Sequence, residues 1–277
     1  MAILNTEAII LRRHLFSESS LVASALTRDH GRIDFLAKGC RREKSLLYGH
    51  LDHYQREAVM IIQRSAGLDL ITEAAFVDEN AGLRFFPPAF AAAGFLAELV
   101  LAACLPGDPH PDLYDSLAKG FGFLSQLGEP SAKAGLAAPN GMMHREKLLV
   151  TGKVFRHLVL ETLARFGFVP ETRRCTVCSK PPQPTGNAMS RRHGGLVCAS
   201  CRPHAGGRIL GKNALNALQA ATNGGESDER SLSDRERREL LRFLVDYCQY
   251  VAEKPLYSAN PLFQLLRGED TAPGFPG

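Results

Sequence analysis

The first third of the chain has the short apolar stretches of β-strands, and the stretch at residues 31–38 alternates loosely between apolar and polar residues. Stretches rich in Ile, Leu and Val, separated by turn residues, predict five strands at residues 6–13, 19–27, 31–38, 51–63 and 67–76. Asp29, His30 and Gly31 are a tight-turn signal, because glycine adopts positive φ without strain. Five short strands within about 75 residues predict a small barrel, either an OB-fold or, as the structural alternative, an SH3-like barrel.

Beyond Pro87 the apolar residues recur at the three- to four-residue spacing of helices. Pro87 suits a first helical turn, Gly167 suits a C-terminal cap, and Ser233 with Glu236 forms a capping box. The pattern predicts a loop at 128–141 and five helices, at residues 89–105, 110–127, 144–166, 211–222 and 233–252. The first helix is apolar but short and interrupted by Glu98, so we expect a buried helix and no membrane span.

The length of 277 residues and the change of period near residue 80 indicate more than one core. We therefore predict a multidomain α+β protein. An OB-fold nucleic-acid-binding barrel at residues 1–80 is followed by an α-helical domain at residues 81–170 and 208–267. Residues 171–207 form an insert in the helical domain, and the tail at 268–277 is predicted to be unstructured.

Two Cys-x-x-Cys pairs are the most specific chemical motif of the sequence. Cys175 and Cys178 are separated by 19 residues from Cys198 and Cys201, a spacing typical of four-thiolate zinc sites. Two such turns complete a tetrahedral shell and leave no open coordination position. We predict one structural Zn²⁺ per chain, which makes the insert a zinc knuckle.

Other interpretations of the cysteines are two redox motifs, which typically need a βαβ context, or His193 or His204 in place of one sulfur. The Pro and Gly residues of the insert predict little buried apolar surface, so metal ligation is its reason to fold. Cys104 and Cys248 lie within apolar helical patterns and are predicted core residues. Seven cysteines without a hydrophobic leader favour the reducing cytoplasm over a secreted disulfide framework.

Positive charge is concentrated in one quarter of the chain. The composition is ordinary for a globular protein, with 45% hydrophobic residues and a net charge of +4. Residues 145–212 alone hold 13 Lys and Arg against 3 Asp and Glu, and residues 175–212 contain no acidic residue. An excess of this size predicts a polyanionic partner, and the alternative is a solvated surface balanced by acidic neighbours.

A second cationic feature directly follows the third predicted strand. It places four cations in seven residues: Lys38, Arg41, Arg42 and Lys44. A cationic loop at a barrel rim can follow a phosphate backbone while aromatic rings nearby stack on bases. Phe35, Tyr48 and Tyr54 are the aromatic candidates, with Phe35 predicted to be in the core. We predict DNA binding by this loop, assisted by Arg191 and Arg192 at the tip of the knuckle.

These features together resemble the RecO family of bacterial recombination mediators. The resemblance covers residues 3–265 and is most specific in segments 6–11, 18–22, 27–31, 37–39, 41–42 and 44–45. The helical middle and the paired Cys-x-x-Cys knuckle are also similar to that family. The chain departs from it with Cys40 in the basic loop and with Glu43 where a proline is common.

The resemblance implies an N-terminal OB-fold, a helical domain with a zinc knuckle, and a non-enzymatic role in recombinational DNA repair. Proteins of this kind bind single- and double-stranded DNA, anneal complementary strands, associate with RecR and help load RecA on strands coated by SSB. The resemblance also implies a cytoplasmic, nucleoid-associated protein whose zinc stabilises the fold and takes no part in a reaction.

The third predicted helix is a candidate contact for SSB. The acidic tail of SSB ends in apolar residues, so its site needs an apolar surface rimmed by cations. The helix offers Phe155, Leu158, Val159 and Leu163, and we predict that Lys153 and Arg156 bind the carboxylates of the tail. The alternative is that these apolar residues belong to the core and the cations are merely solvated.

Two further classes of function compete with a DNA-binding mediator. One is an enzyme, either a nuclease or a thiol oxidoreductase, but the sequence has no carboxylate cluster spaced for two metals and no phosphate-binding glycine loop. The other is an RNA-binding protein, since OB-fold barrels and zinc knuckles also serve RNA.

Overall fold

The computed structural model describes residues 2–128, 140–183, 185–225 and 229–266. The chain separates into two compact units, Met1–Leu136 and Ala137–Gly277. The predicted domain boundaries at residues 80, 170 and 207 stay predictions. The predicted tail and most of the predicted loop at 128–141 lie outside the described residues.

The first unit begins with a closed five-stranded barrel, which confirms the predicted OB-fold. Its strand order is β1-β2-β3-β5-β4, with β1 also pairing with β4. All neighbouring strands are antiparallel except β3 and β5, which are parallel and help to close the barrel. The strands are β1 (Ile3–Leu15), β2 (Leu21–Thr27), β3 (Gly31–Ala37), β4 (Arg56–Ile62) and β5 (Asp69–Asp78).

Every second residue of β3 faces the barrel core. Ile33, Phe35 and Ala37 are buried, while the residues between them are half-buried. Phe35 is fully enclosed, as predicted. Gly31 has φ +67°, and a Cβ there would lie 2.2 Å from the backbone oxygen of Asp108. The predicted turn therefore requires glycine for its backbone conformation and for this close approach.

The strand boundaries differ from the prediction mainly at the fourth strand. Residues 51–55 are turns, and β4 begins at Arg56, because Leu51 and Tyr54 have φ values of 65° and 66° that no strand adopts. β1 is longer than predicted and contains a register shift between Ile10 and Arg12.

A 3-10 turn (Ala81–Phe85) and two helices, α1 (Pro87–Ala103) and α2 (Pro111–Gly128), complete the described part of the first unit. Helix α1 buries apolar residues around much of its circumference, as expected for a core helix, and Cys104 at its end is buried. None of the helices in the described part of the chain is long and apolar enough to cross a membrane.

In the residues that the structure describes, the second unit is helical apart from short turns and one small sheet. Its helices are α3 (Asn140–Arg165), α4 (Arg202–Ala205), α5 (Lys212–Thr222), α6 (Asp234–Val251) and α7 (Ala259–Leu266). Ser233 caps α6 through the predicted capping box, in which the amides of Ser233 and Glu236 each donate to the other residue's side chain. Cys248 on α6 is buried, as predicted.

The small sheet was not predicted. Its strands are β6 (Ala188–Ser190), β7 (Gly195–Val197) and β8 (Arg208–Ile209), in the order β7-β6-β8. The expectation of little buried apolar surface in the insert was wrong, because every residue of β6 and β7 is buried, Met189, Leu196 and Val197 among them. Helix α7 was also missed.

Candidate metal centre and cationic loop

The four cysteines of the two Cys-x-x-Cys pairs come together in the second unit. Their sulfur atoms all lie within 4.8 Å of one another, and the Sγ atoms of Cys178 and Cys198 are 3.7 Å apart. In a tetrahedral site with Zn–S bonds of about 2.3 Å, neighbouring sulfurs are about 3.8 Å apart. The cluster therefore fits a tetrahedral metal ion that prefers thiolates.

Local turns and the small sheet position these sulfurs. The amide of Ser179 donates to the carbonyl of Cys175 at 2.8 Å, and the amide of Cys201 donates to that of Cys198 at 3.1 Å. The second pair directly follows β7, and the amide of Cys198 donates to the sulfur of Cys175 at 3.3 Å. Folding of the backbone thus assembles both halves of the site.

The thiols differ in how readily they lose a proton. Burial opposes ionisation of Cys175, but the backbone amides of Cys198, Cys178 and Val177 donate to its sulfur and lower its pKa to about 6. The pKa of Cys201 is raised to about 12, because hydrogen bonds to the sulfurs of Cys178 and Cys198 hold its proton. A metal ion needs thiolates, so binding releases the remaining protons.

The alternative ligand set with a histidine does not match the geometry. Within the described chain the cluster contains four cysteines and neither His193 nor His204. The Nδ1 atom of His193 instead lies 3.1 Å from the hydroxyl of Ser190. Arg191 and Arg192 are exposed in the turn between β6 and β7, which agrees with the predicted position at the knuckle tip.

The cationic loop, defined as residues 38–48, is an ordered chain of turns in the first unit. Amides donate back over three residues from Arg42 to Gly39, from Ser45 to Arg42 and from Tyr48 to Ser45, at 2.9–3.1 Å. Its cations are all exposed: Lys38, Arg41, Arg42 and Lys44. Their charges face solvent, and the described residues show no ion pair for any of them.

Buried side chains hold the cationic loop and the turn after it on the barrel. Cys40, Leu47 and Leu51 are at most 4% exposed and belong to the barrel core. The guanidinium of Arg41 donates to the carbonyl of Glu18 at 3.0 Å. The loop is therefore ordered before any ligand binds, which lowers the entropic cost of binding a strand.

Glu57 is a supporting residue that the sequence analysis missed. Its fully buried carboxylate accepts from the amide of Leu51 at 2.8 Å and lies 3.4 Å from Nδ1 of His50. Burial raises the pKa of Glu57, and the contacts with Leu51 and His50 partly offset that rise. The sequence signal was a carboxylate at an inward-facing position of β4, alternating with Val59 and Ile61.

Only one of the three aromatic candidates for base stacking is exposed to solvent. Phe35 is in the barrel core, and Tyr54 is buried with its ring 5.1 Å from that of Phe90. Tyr48 is 57% exposed, close in sequence to Lys44. It is the ring of this set on which a nucleobase can stack.

The two cations predicted to bind the SSB tail differ in their exposure to solvent. On α3, Lys153 is exposed, whereas Arg156 is only 5% exposed. The apolar residues Phe155, Leu158 and Val159 are buried as well. The contact stays a prediction, and Lys153 is its accessible member.

The comparison with known families covers both compact units. A family model described as "Recombination protein O N terminal" matches residues 1–80, and one described as "Recombination protein O C terminal" matches residues 154–259. The chain is similar to the DNA repair protein RecO of Rhodopirellula baltica, with 31% identity over 76% of this chain and 72% of that protein. It is also similar to the RecO proteins of Bifidobacterium adolescentis, at 27% identity over 95% of this chain and all of that protein, and of Streptomyces griseus, at 25% over 93% and 98%.

Proposed function

This chain belongs to the RecO family of DNA repair proteins, and from that membership we propose that it is a DNA-binding recombination mediator. In this proposal it binds single- and double-stranded DNA and anneals complementary strands. With RecR it helps to load RecA on strands coated by SSB, in the cytoplasm and close to the nucleoid.

The observation that carries the proposal is the ordered cationic loop on an OB-fold barrel. Four exposed cations on a backbone ordered by turns are available to phosphates, and in the proposal they contact phosphates and no base edge. Binding through them is independent of sequence, as annealing of any two complementary strands requires. Arg191 and Arg192 of the knuckle add to this binding in the proposal.

We propose that the role is non-enzymatic and that the metal is one structural zinc ion per chain. The metal candidate in the described residues has four cysteine ligands, which leave no position for a substrate or a reactive water. Cys175, Cys178, Cys198 and Cys201 would hold the ion, which joins two distant turns of the insert and stabilises the small sheet between them.

A comparison of strand binding and cleavage separates the competing functions. We expect single-stranded DNA to bind at least as tightly as RNA of the same sequence, because phosphate contacts and base stacking need no 2′-hydroxyl. Fluorescence anisotropy of matched labelled oligomers, with and without RecR, measures this preference, and denaturing gels with added Mg²⁺ or Mn²⁺ detect cleavage. A strong preference for RNA favours the RNA-binding alternative, and metal-dependent cleavage by the purified chain contradicts a non-enzymatic role.

For SSB we propose that Lys153 binds a carboxylate of its acidic tail. Lys153→Ala should weaken binding of a labelled tail peptide about two- to fivefold at low salt, the effect of one exposed ion pair, and the difference should shrink as salt screens it. Lys212→Ala removes another exposed cation of the same unit and is the matched control. Wild-type affinity in Lys153→Ala would place the tail elsewhere. Arg156 is unsuitable for this test, because replacing a buried arginine perturbs the packing of α3.

A further inference from the structure

A cationic cleft of about 580 Å³ lies in the second unit between the small sheet and helix α6. Arg191, Arg192 and Arg208 line it from the sheet side, and Phe243 and Asp246 line it from α6. Asp246 is the one carboxylate of this lining, so the cleft has a net charge of +2. Such a lining selects for an anionic ligand.

The knuckle places the three arginines on one small framework. Arg191 and Arg192 follow the last residue of β6, and Arg208 is paired with Met189 of the same strand. Gly207 brings β8 close to β6, since a Cβ there would lie 3.0 Å from the carbonyl oxygen of Met189. Because the second cysteine pair directly follows β7, the metal centre and the arginines share this sheet.

The arginines differ in their contacts. The guanidinium of Arg208 is fixed by Asp246 at 3.0 Å, so this carboxylate is already engaged. The guanidinium of Arg191 lies 5.9 Å from the ring centroid of Tyr250, one helical turn beyond Asp246 on α6. Arg192 is exposed and makes no ion pair with any residue that the structure describes. The cleft therefore offers guanidinium groups, and the ring of Tyr250 lies next to one of them, Arg191, just outside the cleft lining.

Tyr250 indicates which kind of anion the cleft takes. Its ring is 47% exposed on a helix whose neighbouring aromatic residues, Phe243 and Tyr247, are buried. An acidic peptide would satisfy the arginines alone. A strand of nucleic acid uses both features, because its phosphates pair with guanidinium groups and its bases stack on exposed rings.

We infer that this cleft binds a segment of single-stranded nucleic acid, with phosphates at Arg192 and Arg208 and a base stacked on Tyr250. The inference rests on the proposed function and deepens it. It adds Arg208 and Tyr250 to the two arginines at the knuckle tip, and it gives the second compact unit a strand-binding site separate from the cationic loop.

The absence of tryptophan in this chain provides a direct test. Tyr250→Trp introduces the single indole of the protein at a partly exposed position. Oligo(dT) should quench its fluorescence, and an abasic oligomer of equal length should bind with much less quenching, because quenching needs a stacked base. Poly-glutamate of similar charge should neither quench the indole nor compete with oligo(dT) at equal charge concentration.

Variants of the full chain supply a second readout. Tyr250→Ala should lower affinity for oligo(dT) roughly tenfold, the loss of one stacked base. Arg192→Ala/Arg208→Ala should flatten the salt dependence by about 1.4 log units per log unit of salt, as expected for two phosphate contacts. The matched control is Arg235→Ala/Lys254→Ala, which removes two exposed cations of the same unit outside the cleft. Unchanged metal content confirms that each variant retains its knuckle.

The outcomes separate this inference from the proposed function. If oligo(dT) binds the chain through the cationic loop but leaves the indole unquenched, and the cleft variants bind like wild type, the inference is wrong and the proposed function stands. Equal quenching and competition by poly-glutamate would make the cleft an acidic-peptide site and overturn the inference. If the chain binds no oligomer at all, both are wrong.

Discussion

Replacing Cys198 by alanine is expected to abolish metal binding and to unfold the knuckle. The variant keeps three sulfurs of a four-sulfur shell and also loses the side chain that lies 3.7 Å from the sulfur of Cys178. In small metal-bound folds the free energy of metal binding, about 10–16 kcal/mol at neutral pH, is also the free energy of folding. The zinc content of the purified protein, measured by metal analysis, should fall from about one ion per chain to almost none.

The damage should be confined to the region around the metal. Hydrogen exchange should become fast across residues 171–210, whereas the barrel strands keep their protection because their core belongs to the other compact unit. Cys40→Ala is the matched control, since it removes a buried thiol from the first unit and should retain the metal. Full zinc retention in Cys198→Ala would mean that the four-sulfur assignment is wrong.

Replacing both Arg41 and Arg42 by alanine is expected to weaken binding of single-stranded DNA on the order of 50-fold at about 50 mM salt. Each phosphate contact contributes about 0.7 log unit of affinity per log unit of salt, so two lost contacts matter most at low salt. The loss should be the same for every base sequence, because these side chains meet phosphates and not base edges. Anisotropy titrations with oligo(dT), oligo(dA) and a mixed sequence measure it.

A matched variant shows whether DNA binding depends on the total positive charge of the first unit or on the position of the cations in the cationic loop. Arg64→Ala/Lys119→Ala also removes two exposed cations from the first unit, but outside the cationic loop. It should retain nearly wild-type affinity. The loop variant loses the hydrogen bond from Arg41 to the carbonyl of Glu18 but should fold normally, because Cys40 and Leu47 still anchor the loop in the core. Equal losses in both double variants would indicate a diffuse charge effect and no localised interface.

The sequence was sufficient to predict the barrel and the cysteine cluster, because both leave recognisable signals in the sequence. Alternation in β3 directly reflects which side chains face the core, and Gly31 marks the only kind of residue that its turn accepts. The cysteine pairs have the spacing that is typical of ligands for a tetrahedral ion. In each case the signal can be recognised in the sequence itself, within a few residues for the turn and the strand and across residues 175–201 for the cysteines.

Features that depend on tertiary contacts were not predictable in the same way. Strands of two or three residues, such as β8, are too short for any period to appear. The burial of Arg156 depends on what packs against α3, not on its place among other cations. The guanidinium of Arg191 lies over the ring of Tyr250 although the two residues are nearly 60 positions apart, and only the folded knuckle brings them together.

The salt dependence of single-strand binding tests the central claim most directly, because it counts the phosphates that the cationic loop contacts. Affinity for oligo(dT) is measured across a series of salt concentrations for the wild type and for Arg41→Ala/Arg42→Ala. We predict a steep decline for the wild type and a slope flatter by about 1 to 1.5 log units in the double variant. Identical slopes for the two proteins would mean that the loop is not part of the DNA interface. That result would contradict the proposed function, because the loop is its main proposed DNA-binding site.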